Sequence, residues 1–121
     1  MKLRFISPTT HGIIDYAAAI ALVIAPFLLG LGSSNPAAVW ISVTTGIVVV
    51  LVSVSTNYRY GVLKMIPLGG HLALDLLVAT GFMLLPYILK MDGLDAAYYY
   101  ANATVVYLVV ALTANGKLSS I

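Results

Sequence analysis

One stretch occurs twice in this chain, and the duplication limits what the chain can fold into. Residues 3–29 read LRFISPTTHGIIDYAAAIALVIAPFLL and residues 63–89 read LKMIPLGGHLALDLLVATGFMLLPYIL. Laid over each other at an offset of sixty, they align without a gap. Leu3 falls on Leu63, Arg4 on Lys64, Ile6 on Ile66, His11 on His71, Asp15 on Asp75, Ala19 on Ala79 and Pro26 on Pro86. No other histidines occur, and these two aspartates are half of the chain's acids. A fold for this sequence must give two His-x-x-x-Asp segments equivalent settings.

The setting is apolar. Hydrophobic residues make up 61% of the 121 and charged residues 8%, against about 25% charged in soluble domains. One small core cannot bury that much apolar surface, and runs of about twenty apolar residues match the length a helix needs to cross a bilayer. The chain reads as an integral membrane protein. A cleavable signal peptide is not expected, because the first apolar run is too long, lacks a cleavage motif and recurs mid-chain. The net charge of +2 comes from scattered basic residues, which excludes a nucleic-acid footprint. With no cysteine, disulfides, thiolate metal sites and cysteine nucleophiles are excluded.

Four helices are expected. Ser7-Pro8-Thr9-Thr10 offers hydroxyl caps and a proline suited to a first turn, so the first helix runs from about Thr10 to Leu31. Gly32-Ser33-Ser34-Asn35-Pro36 has turn chemistry. The second helix runs from about Ala37 to Thr56; its valines and isoleucines suit a strand, but an unclosed strand in lipid leaves backbone groups unpaired. The third runs from about His71 to Leu89 and the fourth from about Ala96 to Ala114, with Lys90 to Asp95 as a polar loop between them. The offset of sixty also pairs Ala37 with Ala97, Trp40 with Tyr100 and Thr44 with Thr104. The expected architecture is all-α: one transmembrane domain of two tandem, parallel helical-hairpin repeats, 3–57 and 63–117, related by an axis along the membrane normal.

In a four-span topology Lys2, Arg4, Arg59, Lys64 and Lys117 share one side and Lys90 lies on the other. By the positive-inside rule both termini are then cytoplasmic. Trp40 and Tyr98-Tyr99-Tyr100 are expected at the opposite interface, as an aromatic belt. Gly30, Gly46, Gly81, Ala19 and Ala79 read as helix contact points. Pro26 and Pro86 read as helix kinks whose freed carbonyls find partners on neighbouring helices.

Residues four apart share a helix face, so His11 and Asp15, and His71 and Asp75, form two polar pairs near the cytoplasmic helix ends. An intramembrane carboxylate usually faces protein or water. The leading reading is that each aspartate accepts from its own histidine, a partner helix, or the counter-charges Arg59 and Lys64, and that the set fastens the two repeats without any cofactor. Three alternatives stand beside it. Two histidines and two aspartates make an N2O2 metal-ligand set of the kind built between facing helices. Paired histidines are also haem ligands, and His and Asp line proton or ion paths. No nucleotide loop, nucleophile elbow or metalloprotease motif occurs.

Thr10-His11-Gly12-Ile13-Ile14-Asp15-Tyr16, Thr56-x-Tyr58, Ile66-Pro67 and His71-Leu72-x-Leu74-Asp75 resemble the bacterial SPW-repeat membrane proteins over nearly the full chain. The family's Ser-Pro-Trp motif here reads Ala25-Pro26-Phe27 and Leu85-Pro86-Tyr87. Arg59 stands where the resemblance implies an acid, which makes it a candidate counter-charge for Asp15 or Asp75. The resemblance implies the fold and a membrane location, and no activity. The resulting expectation is a non-enzymatic structural or accessory subunit of the bacterial cytoplasmic membrane. Its partners would be the lipid bilayer and a membrane protein or further copies of itself.

Overall fold

The structure, a computed structural model, describes residues 4–114. Lys2, Lys117 and the outermost repeat boundaries lie outside the described residues. Within them are four helices, α1 (Pro8–Leu28), α2 (Ala37–Val54), α3 (Leu68–Ile88) and α4 (Gly93–Leu112). α1 packs on α2 and α3 on α4, giving two hairpins. By length and composition α1, α2 and α3 can each cross a membrane. α4 is comparable in length, but Asp95, Asn102 and four tyrosines make it less apolar. The family of outward-facing residues is strongly apolar on both hairpins, including Phe27, Leu28, Trp40, Leu51, Leu77, Tyr87, Ile88 and Leu108.

The ends of the helices follow from local chemistry. α1 begins where Ser7 accepts the Thr10 amide at 3.1 Å and Pro8 supplies the first turn. It ends at Gly30, whose φ of +66° lets Leu31 N–H reach back to the Pro26 carbonyl; this is a C-terminal cap, not the helix contact expected from sequence. Lys90 plays the same part after α3, with φ +54° and Met91 N–H on the Pro86 carbonyl. Both helices continue through their prolines. Pro26 cannot donate to Leu22, and the Leu22 carbonyl instead accepts from Ser42 Oγ of α2 at 2.7 Å.

The offset of sixty holds through α1 and α3 and then changes. Buried positions in α2 are Ala38, Ser42, Gly46 and Ser53. Buried positions in α4 include Asp95, Tyr99, Ala103 and Val110, each 57 residues further on. The parallel β-bridges follow the same rule, joining Ile66 to Thr56 and Ile6 to Thr113. The α3–α4 connection is the shorter one, so the pairing of Trp40 with Tyr100 and Thr44 with Thr104 is out by three, nearly one helical turn.

The bridges tie the hairpins together. The start of α1 is bonded to the end of α4, through Ile6 N–H to the Leu112 carbonyl and Ala114 N–H to the Ile6 carbonyl. The start of α3 is bonded to the end of α2 in the same way, through Ile66 N–H to the Ser55 carbonyl and Asn57 N–H to the Ile66 carbonyl. The opposite half of the bundle holds the apolar core: Leu22, Leu31, Ala38, Phe82, Met91, Tyr98, Tyr99 and Ala103. Tyr98 and Tyr99 thus belong to the core, not to an interfacial belt. Each has a hydroxyl partner, Ser42 Oγ and the Ala38 carbonyl, as buried tyrosines require. Trp40 and Tyr100 remain exposed. Gly46 is a true contact point, because a Cβ there would lie 2.8 Å from the Ala19 carbonyl oxygen; beside Gly81 there is open space.

Candidate functional site

The helix starts are what bring the site together. His11 lies in the first turn of α1 and His71 in the first turn of α3, and the two β-bridges hold these starts at one end of the bundle. The imidazole rings meet edge to face with centroids 5.4 Å apart. One turn deeper, Asp15 and Asp75 close a ring. His11 Nε2 lies 3.2 Å from Asp15 and 3.1 Å from Asp75. His71 Nε2 lies 3.0 Å from Asp15 and 3.4 Å from Asp75. Each carboxylate therefore serves both histidines, across the hairpins as well as along its own helix. Both histidines are fully buried, and Asp75 is the more exposed of the acids.

The far side of each imidazole is fixed by a threonine. His71 Nδ1 lies 2.7 Å from Thr56 Oγ1, and His11 Nδ1 lies 2.8 Å from Thr113 Oγ1. Each threonine hydroxyl also donates its one proton to the carbonyl four residues earlier, Val52 or Val109. A hydroxyl that has spent its proton can only accept. Nδ1 is thus the donor in both rings, and Nε2 is the nitrogen turned to the carboxylates. Such an arrangement can fasten helices, and its donor set of two imidazole nitrogens and two carboxylates can also hold a metal ion: all four groups offer atoms within 4.8 Å of one another.

Asp15 has a further partner. Tyr58, in the α2–α3 connection, is buried and donates its hydroxyl to Asp15 Oδ2 at 2.9 Å. Burial pushes the Tyr58 hydroxyl above its ordinary range, so it remains a donor. Its ring lies over Gly12, where an added Cβ would sit 3.4 Å from the tyrosine carbons. The counter-charges expected from sequence are elsewhere. Arg59 is exposed and stacks over Tyr60, while Lys64 Nζ donates to the Tyr58 carbonyl. Among the described residues the charged partners of Asp15 and Asp75 are the histidines alone. Lys64 turns away because the backbone there adopts φ +51° to enter the β-bridge.

Sequence reading also missed Asp95, which it placed in a polar loop. Asp95 is in the first turn of α4 and fully buried. It accepts from Gly32 N–H, Ser34 N–H, Ser34 Oγ and Asn35 N–H at 2.6–3.3 Å. The turn after α1 thus wraps its amide groups round a carboxylate from the other hairpin, a backbone anion cradle. Thr56 and Tyr58 entered the sequence reading only as a motif of the family resemblance, without a site role, and Thr113 did not enter it. The recurrence of threonine at the ends of both even helices was hidden by the change of offset.

A cavity of about 100 Å³ runs from the ring toward the core, bounded by Asp15 and Asp75 at one end and by apolar residues such as Leu22, Val49, Phe82 and Ala103. No curated protein and no solved structure matches the chain. The model of the SPW repeat domain does match, over residues 9–117. That span takes in all four helices and every member of the ring, so the paired His-x-x-x-Asp helices and the proline-bearing turns are read on one family scaffold. This chain belongs to the SPW repeat domain family.

Proposed function

We propose that the protein is a four-span accessory subunit of a bacterial cytoplasmic membrane complex, with both termini cytoplasmic and no catalytic activity of its own. Its two hairpins are tandem parallel repeats fastened at the cytoplasmic end by the His–Asp ring. The observation that carries this reading is the division of the side chains. The buried polar groups gather against one another, as in the ring and the Asp95 cradle, while both hairpins turn apolar faces outward. A surface of that kind recognises lipid and other membrane helices. Arg4, Arg59 and Lys64 at the ring end, against Lys90 at the other, support the orientation.

Two measurements test it. A reporter after Ile121 is expected to be active in the cytoplasm and one inserted at Ser34 to report the exterior; the reverse pattern overturns the orientation. Gentle extraction of native membranes is expected to yield the chain in a stoichiometric complex on native electrophoresis. Migration as a lone 12.8 kDa chain overturns the accessory role.

A further inference from the structure

We infer that the ring is a binding site for one divalent first-row transition-metal ion of the zinc class, held by His11 Nε2, His71 Nε2, Asp15 and Asp75. The inference deepens the fastening role just proposed and rests on it only for the location of the ring.

The direction of the nitrogens comes first. Because Thr56 and Thr113 accept from Nδ1, each histidine presents Nε2 to the two carboxylates, and in the neutral ring Nε2 bears a lone pair. Nε2 of each ring thus faces both carboxylates at 3.0–3.4 Å, and where protons on the two nitrogens would serve the set pair by pair, one divalent ion between them serves all four groups at once. The orienting bond on the other ring nitrogen is also what metal-bound histidines carry.

A second observation is independent of the tautomer. His71 is 1% exposed, and its Nε2 makes no aligned hydrogen bond although Asp15 Oδ2 is only 3.0 Å away. His11 Nε2 is hydrogen-bonded to Asp75 Oδ2 at 3.1 Å, so the buried nitrogen left for a further partner is that of His71. Bonds of about 2.0–2.2 Å at tetrahedral angles place neighbouring ligand atoms roughly 3.3–3.6 Å apart. The His-to-Asp separations of 3.0–3.4 Å lie within a few tenths of an ångström of that spacing, and all four ligand atoms lie within 4.8 Å of one another, so small side-chain shifts close the set on one ion.

The chemistry of the donors narrows the ion. Imidazole suits zinc, copper, iron and nickel, whereas magnesium and calcium favour sites made of oxygen. Two carboxylates balance the charge of a divalent ion, which makes the loaded ring neutral and compatible with a low-dielectric setting. Asp75, with a side chain 20% exposed, is the route of entry.

The test uses the full chain, purified in detergent through a tag without histidine and dialysed against zinc. Elemental analysis is expected to give about one ion per chain, with a lower melting temperature after treatment with chelator. Cobalt in place of zinc is expected to give a visible absorption band that His71→Ala abolishes. Thr56→Val replaces no ligand but removes the acceptor on His71 Nδ1, and it is expected to leave the helical content intact while weakening zinc roughly 10- to 100-fold in chelator competition. His71→Leu combined with Asp75→Leu separates the ion from simple pairing: an ion site recovers no stability over the single variants, and a metal-free ion pair recovers part. Zinc content near zero under saturation, a melting temperature unmoved by chelator, or recovery in the double variant overturns the inference. Topology reporters and complex migration do not depend on zinc content, so failure of the ion site leaves the accessory reading standing, and the reverse.

Discussion

The two hairpins contribute the same residues to the ring, yet they surround them differently. Asp15 is enclosed, with 10% of its side chain exposed and the Tyr58 hydroxyl on it. Asp75 is twice as open, and its protein partners are the two histidines. At the other end of the bundle the difference is reversed. The second hairpin supplies Asp95 to the turn of the first, while the equivalent position of the first hairpin is Ala38. The shared ring is thus symmetric in ligand type, while each hairpin has one bond the other lacks. These two bonds, Tyr58 to Asp15 and Asp95 to the turn at 32–35, distinguish the halves chemically.

The largest expected effect separates the two ring acids. Removing one member of a buried charged set costs about 3–5 kcal/mol, because its partners are left buried and unpaired. Asp15→Leu strands both histidines and the Tyr58 hydroxyl, so it is expected to reach that range in detergent unfolding. Asp75→Leu strands the histidines only, at a wetter place, and is expected to cost about half as much. Equal losses would show that the two hairpins support the ring alike.

A smaller effect is expected at the opposite end. Asp95→Ala leaves three backbone amides and the Ser34 hydroxyl without their acceptor. Hydrogen bonds to a charged group contribute about 1.5–3 kcal/mol, and the freed amides lie in a turn that water can reach, so the expected loss is about 2 kcal/mol. Hydrogen exchange should rise at residues 32–35 and stay unchanged at the ring. Faster exchange at Thr56 or Thr113 would show that the two ends are coupled.

How far these features were legible in the sequence follows from how local they are. His11, Asp15, His71 and Asp75 stood out because charged and titratable groups are scarce in an apolar chain, and four-residue spacing alone sets a shared helix face. The odd helices could be matched at a fixed offset because Pro26 and Pro86, with the histidines, mark the register. The even helices carry few such marks. Ala37, Trp40 and Thr44 matched plausible residues sixty positions on, while the burial pattern follows 57. Asp95 reads as loop because an acid beside Gly93 has no local reason to be buried; its amide partners lie some sixty residues away. Arg59 and Lys64 were the nearest charges in the chain, but the β-bridge and a left-handed residue direct Lys64 to a backbone carbonyl instead.

The finest test makes one hairpin resemble the other. Tyr58→Phe removes the hydroxyl on Asp15 and keeps the ring that covers Gly12 and lies 5.6 Å from the His71 centroid. Packing is conserved, so the loss is that of one hydrogen bond to a charged acceptor, about 1.5 kcal/mol. Asp15 would then have the histidines as its remaining partners, as Asp75 does. If the tyrosine is what sets the two acids apart, Asp15→Leu should cost less in the Tyr58→Phe background than in the native protein, by about the same 1.5 kcal/mol. Asp75→Leu should cost the same in both backgrounds. This is a double-mutant cycle in which only residues sharing a partner couple. Coupling of Tyr58 to Asp75 as strong as that to Asp15 would mean that the tyrosine acts on the ring as a whole, and that the difference between the acids lies in their exposure.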